Sequence, residues 1–190
     1  MMQQKWSLLM AMLNDFIQIY ENNIEPDVCN YLIELFRQNP EYWETETNLT
    51  YSQFNFTKVK DLSDEVNNIH TEIIKNVFKV RDEYYEIYSR NVFPETHQFE
   101  QFKLQCFNPS DDETFQTYVD VEDYTTARRF LCFMWYLNDN DAGQDEFLDL
   151  FIQPEVGKLV VYPPFWLFPH RKINPVKEPQ YILKTYLHYK

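Results

Sequence analysis

The sequence predicts an α+β fold that is mainly β, an antiparallel sandwich or barrel with helices packed on one side. Three observations lead there. Helical periodicity is confined to the first half of the chain. From residue 99 onward the pattern changes to short apolar runs (102–107, 129–137, 146–152, 158–162 and 181–189) separated by turn clusters. Helices followed by five or more strands mark a segregated, antiparallel architecture rather than alternating βαβ units. The run 129–137 is apolar on both faces, which a strand needs only when it is covered on both sides, so it is expected at the centre of the sheet.

Taken in order, residues 16–20 (FIQIY) are β-branched and aromatic and read as a strand. Pro26 and Asp27 open a helix whose stripe is Val28, Leu32, Leu35 and Phe36, and Pro40 closes it. Residues 39–62 are polar and aromatic and are expected to be loop with one edge strand. Ser63 or Asp61 can cap a long helix in which Val66, Ile69, Ile73, Val77, Val80 and Tyr84 recur at three and four residues, running to about Arg90. Gly143 and Gly157 fall in turns where positive φ is needed. The organisation is one domain over 1–190, with a helical and strand part at 14–95 and a β core at 98–190.

Composition excludes several functions. The 190 residues contain two glycines, too few for a P-loop or a dinucleotide-binding turn. The formal net charge is −13, from 17 basic and 30 acidic residues. Phosphates would be repelled, so neither nucleic acid nor an anionic membrane surface is an expected partner. Cys29, Cys106 and Cys132 are odd in number, widely spaced and without a CxxC, which fits reduced core thiols. Residues 8–13 read as a short helix or a disordered start rather than a signal peptide. The acidic groups at 111–113 and at Asp139, Asp141, Asp145 and Glu146 lack the EF-hand pattern and read as solvated turns. His70, His97 and His188 have no partner at ligand spacing and read as surface residues.

One series of landmarks is more specific. RFLCFMWYLND (129–139) is followed by AGQDEF (142–147), IQPEVGKLVVYPPFW (152–166), His170 and YILKTY (181–186). This order resembles the prolyl 4-hydroxylase type of 2-oxoglutarate- and Fe(II)-dependent dioxygenases, especially the short versions of bacteria and their phages, over residues 100–189. The resemblance implies a double-stranded β-helix (jelly roll) with N-terminal helices packed on its major sheet. It also implies five functional positions. The HxD motif falls on TYVD (117–120): Asp120 matches, and Tyr118 stands where the first histidine should be. His170 matches the distal histidine. Phe107 stands where a tyrosine binds 2-oxoglutarate, and Gln180 where a Lys or Arg pairs with its distal carboxylate.

Those departures bear directly on the chemistry. The family's iron needs three protein ligands on one face, leaving three positions for cosubstrate and dioxygen. A tyrosine must first lose a proton of pKa about 10 to serve as one of them. Gln180 forfeits a charge-assisted contact whose loss costs on the order of 2–5 kcal/mol, and Phe107 forfeits a hydroxyl. The leading expectation is therefore a fold that has lost catalysis, with no cofactor, acting as a binding or structural module with protein partners in an oligomeric assembly, in the cytoplasm or in a phage particle. The alternative is an active hydroxylase using Fe(II) and 2-oxoglutarate, with Asp120 and His170 on the metal, Tyr118 ligating or lining the site, and Lys177, Arg171 or Lys184 as clamp. Tyr118 as a cavity filler, and Asp120 with His170 as a buried hydrogen-bonded pair, are the plainer readings. Lys184 lies about 13 Å beyond Gln180 along a strand at ~3.3 Å per residue, too far for the clamp without a register shift.

Overall fold

A computed structural model describes residues 12–44, 51–109 and 116–190. Its elements are β1 (Gln18–Tyr20), α1 (Pro26–Gln38), β2 (Trp43–Glu44), β3 (Ser52–Asn55), α2 (Asp64–Ile87), β4 (His97–Phe99), β5 (Lys103–Phe107), β6 (Arg129–Tyr136), β7 (Asp145–Phe147), β8 (Leu150–Ile152), β9 (Leu159–Tyr162), β10 (His170–Lys172) and β11 (Gln180–Tyr189). All strand pairings are antiparallel. The major sheet runs β1-β9-β6-β11-β5-β3-β2, with β4 on the end of β11, and the minor sheet runs β10-β7-β8.

β6 lies between β9 and β11 and is buried along nearly its whole length, as its two-sided apolar pattern predicts. Strand alternation sorts its side chains and those of its neighbours into two cores. Leu131, Phe133 and Trp135 of β6 join Leu159, Val161, Leu183 and Leu187 under the helices. Cys132, Met134 and Tyr136 join Val160, Tyr162 and Ile182 on the opposite face, against Phe147 and Ile152 of the minor sheet. This second core is the barrel interior, and the site lies in it.

The helices cover the first core. α1 has Pro26 in its first turn, where the missing N–H costs nothing, and buries Cys29, Leu32, Ile33 and Phe36. α2 is capped by Ser63, whose hydroxyl accepts from the Val66 amide at 3.2 Å. It buries Val66, His70, Ile73, Val77, Val80 and Tyr84, one face of a 3.6-residue period. Gly157 fixes how closely α1's leading loop approaches the sheet. Its φ is +78°, and a Cβ there would lie 2.3 Å from the Ile24 carbonyl oxygen. Its own carbonyl accepts from the Asn23 amide at 2.8 Å, and the Asn23 side chain accepts from the Trp135 indole at 2.8 Å.

Several expectations change. The run 146–152 is not one strand but the β7–β8 hairpin, turned at Leu148 with φ +55°. Residues 39–62 supply two strands, β2 and β3, and a 3₁₀ segment (Phe56–Leu62). β1, β2 and β3 belong to the same sheet as the C-terminal strands, so the 14–95 part and the 98–190 part share one sheet. His70 and His188 are buried and His97 half-buried: aromatic rings pack on His70 and His97, and His188 lies in β11 between β4 and β6. The apolar start at 8–11 and the acidic run 111–113 lie outside the described residues. Among the described residues no helix is long and apolar enough to cross a membrane.

His70 supplies a pH test of the helix–sheet core. Its ring lies between Phe56 and Phe102, and burial followed by the Lys60 charge lowers its pKa from 6.5. A lowered folded pKa contributes stability above the unfolded value and loses it as pH falls. Urea unfolding from about pH 7.5 to about pH 5 should therefore show a smaller loss of stability for His70→Met than for the wild type. Equal losses would remove His70 from the account.

Candidate functional site

Asp120 is the centre of the barrel's polar interior. It follows the single bridge between Tyr118 and His170, which lays the 116–120 segment beside β10. The Asp120 side chain is 5% exposed and its carboxylate receives three short contacts. Oδ1 accepts from Lys184 Nζ at 2.7 Å and from the Tyr186 hydroxyl at 2.8 Å, both on β11. Oδ2 accepts from the Tyr162 hydroxyl of β9 at 2.7 Å. Arg129 Nη1 donates to the Asp120 carbonyl at 2.7 Å, stacks its guanidinium 4.1 Å over the Tyr186 ring, and forms a paired bridge to Glu100.

These contacts set the protonation states. Burial alone would raise the Asp120 pKa. The Lys184 charge, with His170 and the bonds from Lys184 and Tyr162, overcomes it and holds the carboxyl well below the usual range. Burial by itself would lower Lys184, but Asp120, with smaller contributions from Tyr186, Cys132 and Tyr118, overcomes it and raises the ammonium well above its ordinary value. His170 is lowered because burial outweighs the attraction of Asp120, so the imidazole is neutral. Its Nδ1 lies 3.1 Å from the Phe168 carbonyl, which can only accept; that assigns the proton to Nδ1 and leaves the Nε2 lone pair facing the site. Nε2 is 3.5 Å from the Tyr162 hydroxyl and 3.7 Å from Asp120 Oδ2. With the ring proton on Nδ1, Nε2 has nothing to donate to Asp120, so no direct Asp–His hydrogen bond forms.

The Tyr118 ring packs against His170 at 4.4 Å between centroids, and burial pushes its phenol well above 10. The structure thus brings Tyr118, Asp120 and His170 together. Phe107 lines the same cleft of about 370 Å³, with Tyr51, Gln105, Lys172 and Tyr186. Gln180 sits opposite Phe107 in the β5–β11 ladder but is fully buried against the 138–143 turn, its Oε1 without a hydrogen-bond partner among the described residues and 3.0 Å from where a Gly143 Cβ would be.

The three clamp candidates separate. Arg171 pairs with Glu146 on the outer side of the minor sheet. Lys177 lines a different cleft with Asp139 and Asp141. Lys184 does reach the interior, where its ammonium is held by Asp120. The sequence reading omitted Lys172, two residues after His170 and on the same face of β10. Its ammonium is buried, 2.8 Å from Asp145 Oδ2, which also accepts from the Tyr136 hydroxyl at 2.7 Å. It lies 4.9 Å from the Phe107 ring centroid. Period-2 alternation from His170 and from Ile182 was the signal that could have found both lysines. The acidic group at 139–146 divides accordingly, Asp145 and Glu146 being ion-pair partners rather than solvated turn residues.

These donors do not fit a facially bound divalent ion. Two of the three ligand positions, Asp120 and His170, have suitable chemistry, and no cluster of three or more His, Cys, Asp or Glu exists among the described residues. Both Asp120 oxygens are engaged. An ion about 2.2 Å from Oδ1 would lie within about 5 Å of Nζ, a repulsion of roughly 7 kcal/mol at an effective dielectric of about 20.

The pair has a measurable signature. Asp120→Asn is expected to cost about 3–5 kcal/mol in urea unfolding, because it strands the Lys184 ammonium. Asp120→Asn with Lys184→Met should cost clearly less than the two single changes added. Additive effects would mean the two groups do not sense each other.

The sequence matches no protein-family model and no curated protein. Solved structures do match the fold. The collagen prolyl hydroxylase of Paramecium bursaria Chlorella virus-1, in its 2-oxoglutarate complex, superposes at TM-score 0.63 and 14% identity, over 92% of this chain and 96% of that one. A Pseudomonas putida prolyl-4-hydroxylase gives 0.64 and 15%, over 96% and 99%. A Trichoplax adhaerens prolyl hydroxylase, bound to a peptide of hypoxia inducible factor, gives 0.67 and 13%, over 98% and 92%. The jelly roll built by this chain is therefore the fold of the prolyl 4-hydroxylase-type 2-oxoglutarate oxygenases.

Proposed function

We propose that this chain is a non-catalytic member of that architecture, a binding or structural module of a larger assembly. The observation that carries the reading is the commitment of Asp120. The carboxylate that would bind iron in an active oxygenase of this architecture is saturated by an ammonium and two phenols from its own barrel. The substitutions at Tyr118, Phe107 and Gln180 act in the same direction, and the buried Lys172–Asp145 pair beside Phe107 occupies interior volume with a self-neutralised charge.

The surface supports the binding half of the reading. Trp166 is 73% exposed, Tyr124 93% and Phe151 57%, large aromatic groups that anchor protein interfaces when a partner covers them. With a net charge of −13, a basic or neutral protein surface is the complementary partner. The resemblance to short phage versions of the fold makes a phage particle one such assembly.

The deciding experiment is a calorimetric titration of chelator-stripped protein with Fe(II) or Mn(II), with and without 2-oxoglutarate. No binding is expected at high-micromolar metal. Micromolar binding tightened by 2-oxoglutarate, with succinate formation lost in His170→Ala, would establish the oxygenase reading instead. For the assembly half, sedimentation velocity should detect self-association or a stable complex that Trp166→Glu weakens at unchanged thermal stability. A wild-type chain that stays a monomer with every partner offered would count against it.

A further inference from the structure

The neutral imidazole of His170 and the ionised carboxylate of Asp120 face each other across 3.7 Å, and both are held from behind. The Phe168 carbonyl fixes the Nδ1 proton, so Nε2 presents a lone pair. Tyr162 and Tyr186 fix the carboxylate. This is the orientation by which proteins hold an imidazole and a carboxylate ready for a cation. One cation is already there. Lys184 Nζ is 2.7 Å from Oδ1, with the Tyr162 and Tyr186 ring centroids 5.8 and 5.4 Å away.

We propose that the Lys184 ammonium is the resident cation of this site, delivered by the chain itself, and that removing it uncovers a divalent-cation site on Asp120 and His170. The inference rests on the non-catalytic reading above and adds to it a single residue that closes the site. A buried carboxylate with no neutralising charge would not stay ionised. To stay ionised, Asp120 therefore requires either a bound ion or Lys184. The alternation of β11 places Lys184 between Ile182 and Tyr186 on the barrel face, so the ammonium arrives with the fold and not from solution. The adjoining cleft of about 370 Å³ gives an ion and its waters access once the lysine stem is gone. Tyr118 fills the third position, so a histidine there should complete the set.

The test compares the wild type with Lys184→Ala, Lys184→Met, Lys184→Ala combined with Asp120→Asn, and Lys184→Ala combined with Tyr118→His. Co(II) and Mn(II) are the probes, read by calorimetry, by Co(II) d–d absorption and by the shift in melting temperature. The wild type should show no binding. Lys184→Ala should bind Co(II) with a Kd on the order of 10–100 µM and be stabilised by it. Asp120→Asn should abolish that binding, and Tyr118→His should tighten it by about tenfold or more. If Lys184→Ala and Lys184→Met give wild-type circular dichroism and neither binds Co(II), the inference is overturned while the non-catalytic reading stands. If both fail to fold even in millimolar Co(II), it is overturned too, because an ion able to take the ammonium's place would restore the fold. If the wild type binds metal, the non-catalytic reading itself falls.

Discussion

A carboxylate enclosed between two sheets must be neutralised, and the way Asp120 is neutralised governs the interior of this protein. Its partners come from β9 and β11 of the major sheet, while His170 beside it belongs to β10 of the minor sheet. The ion pair and its hydroxyls therefore tie together parts of the barrel that are distant in sequence. Breaking one side exposes the other as an uncompensated buried charge, which is why the cluster is expected to respond as a unit. The second buried pair, Lys172 with Asp145, repeats the arrangement within the minor sheet, with Tyr136 reaching over from β6. Two self-neutralised pairs leave an interior that is polar in atoms and balanced in charge.

That interior depends on the division of labour across the major sheet. One face of β6, β9 and β11 is given wholly to the helices, through Leu131, Phe133, Trp135, Val161 and Leu183. The helical layer takes no part in the site and serves as the rigid backing against which the barrel face is registered. The close contact at Gly157 and the Asn23–Trp135 hydrogen bond lock the first strand and helix to that backing. The inner face is thereby free to carry residues chosen for something other than apolar packing.

The architecture was largely legible in the sequence because it is written in periodicity. The 3.6-residue stripe of α2, the Ser63 cap, the two-sided apolar β6 and both positive-φ glycines follow from local rules. The short strands β4 and β10 carry only three residues each and leave no such pattern, and Leu148 hides a hairpin turn in an apolar run because nothing in its residue type announces positive φ. At the site, resemblance located Tyr118, Asp120 and His170, which converge. It offers Lys184 only as a clamp for cosubstrate, not as the partner of Asp120, and does not point to Lys172 at all. Their partners lie 64 and 27 residues away, and only the register of β11 against its neighbours and of β10 against β7 brings them together. The distance that matters for Lys184 is not along β11 to Gln180 but across to Asp120, which lies outside that strand. The three histidines read as surface groups failed for the same reason, since tertiary contacts bury them.

The Asp120–Lys184 pair also constrains how this sequence can change. Each member is tolerable only while the other is present. A neutral residue at 184 leaves a naked carboxylate, and a neutral residue at 120 leaves a naked ammonium, each at a buried position. Substitutions at the two positions must therefore arrive together or pass through a poorly folded intermediate. Such a pair works as a ratchet: once the lysine is installed, drift at either position is resisted, and a lineage that carries it is held in the self-neutralised state however freely its surface evolves.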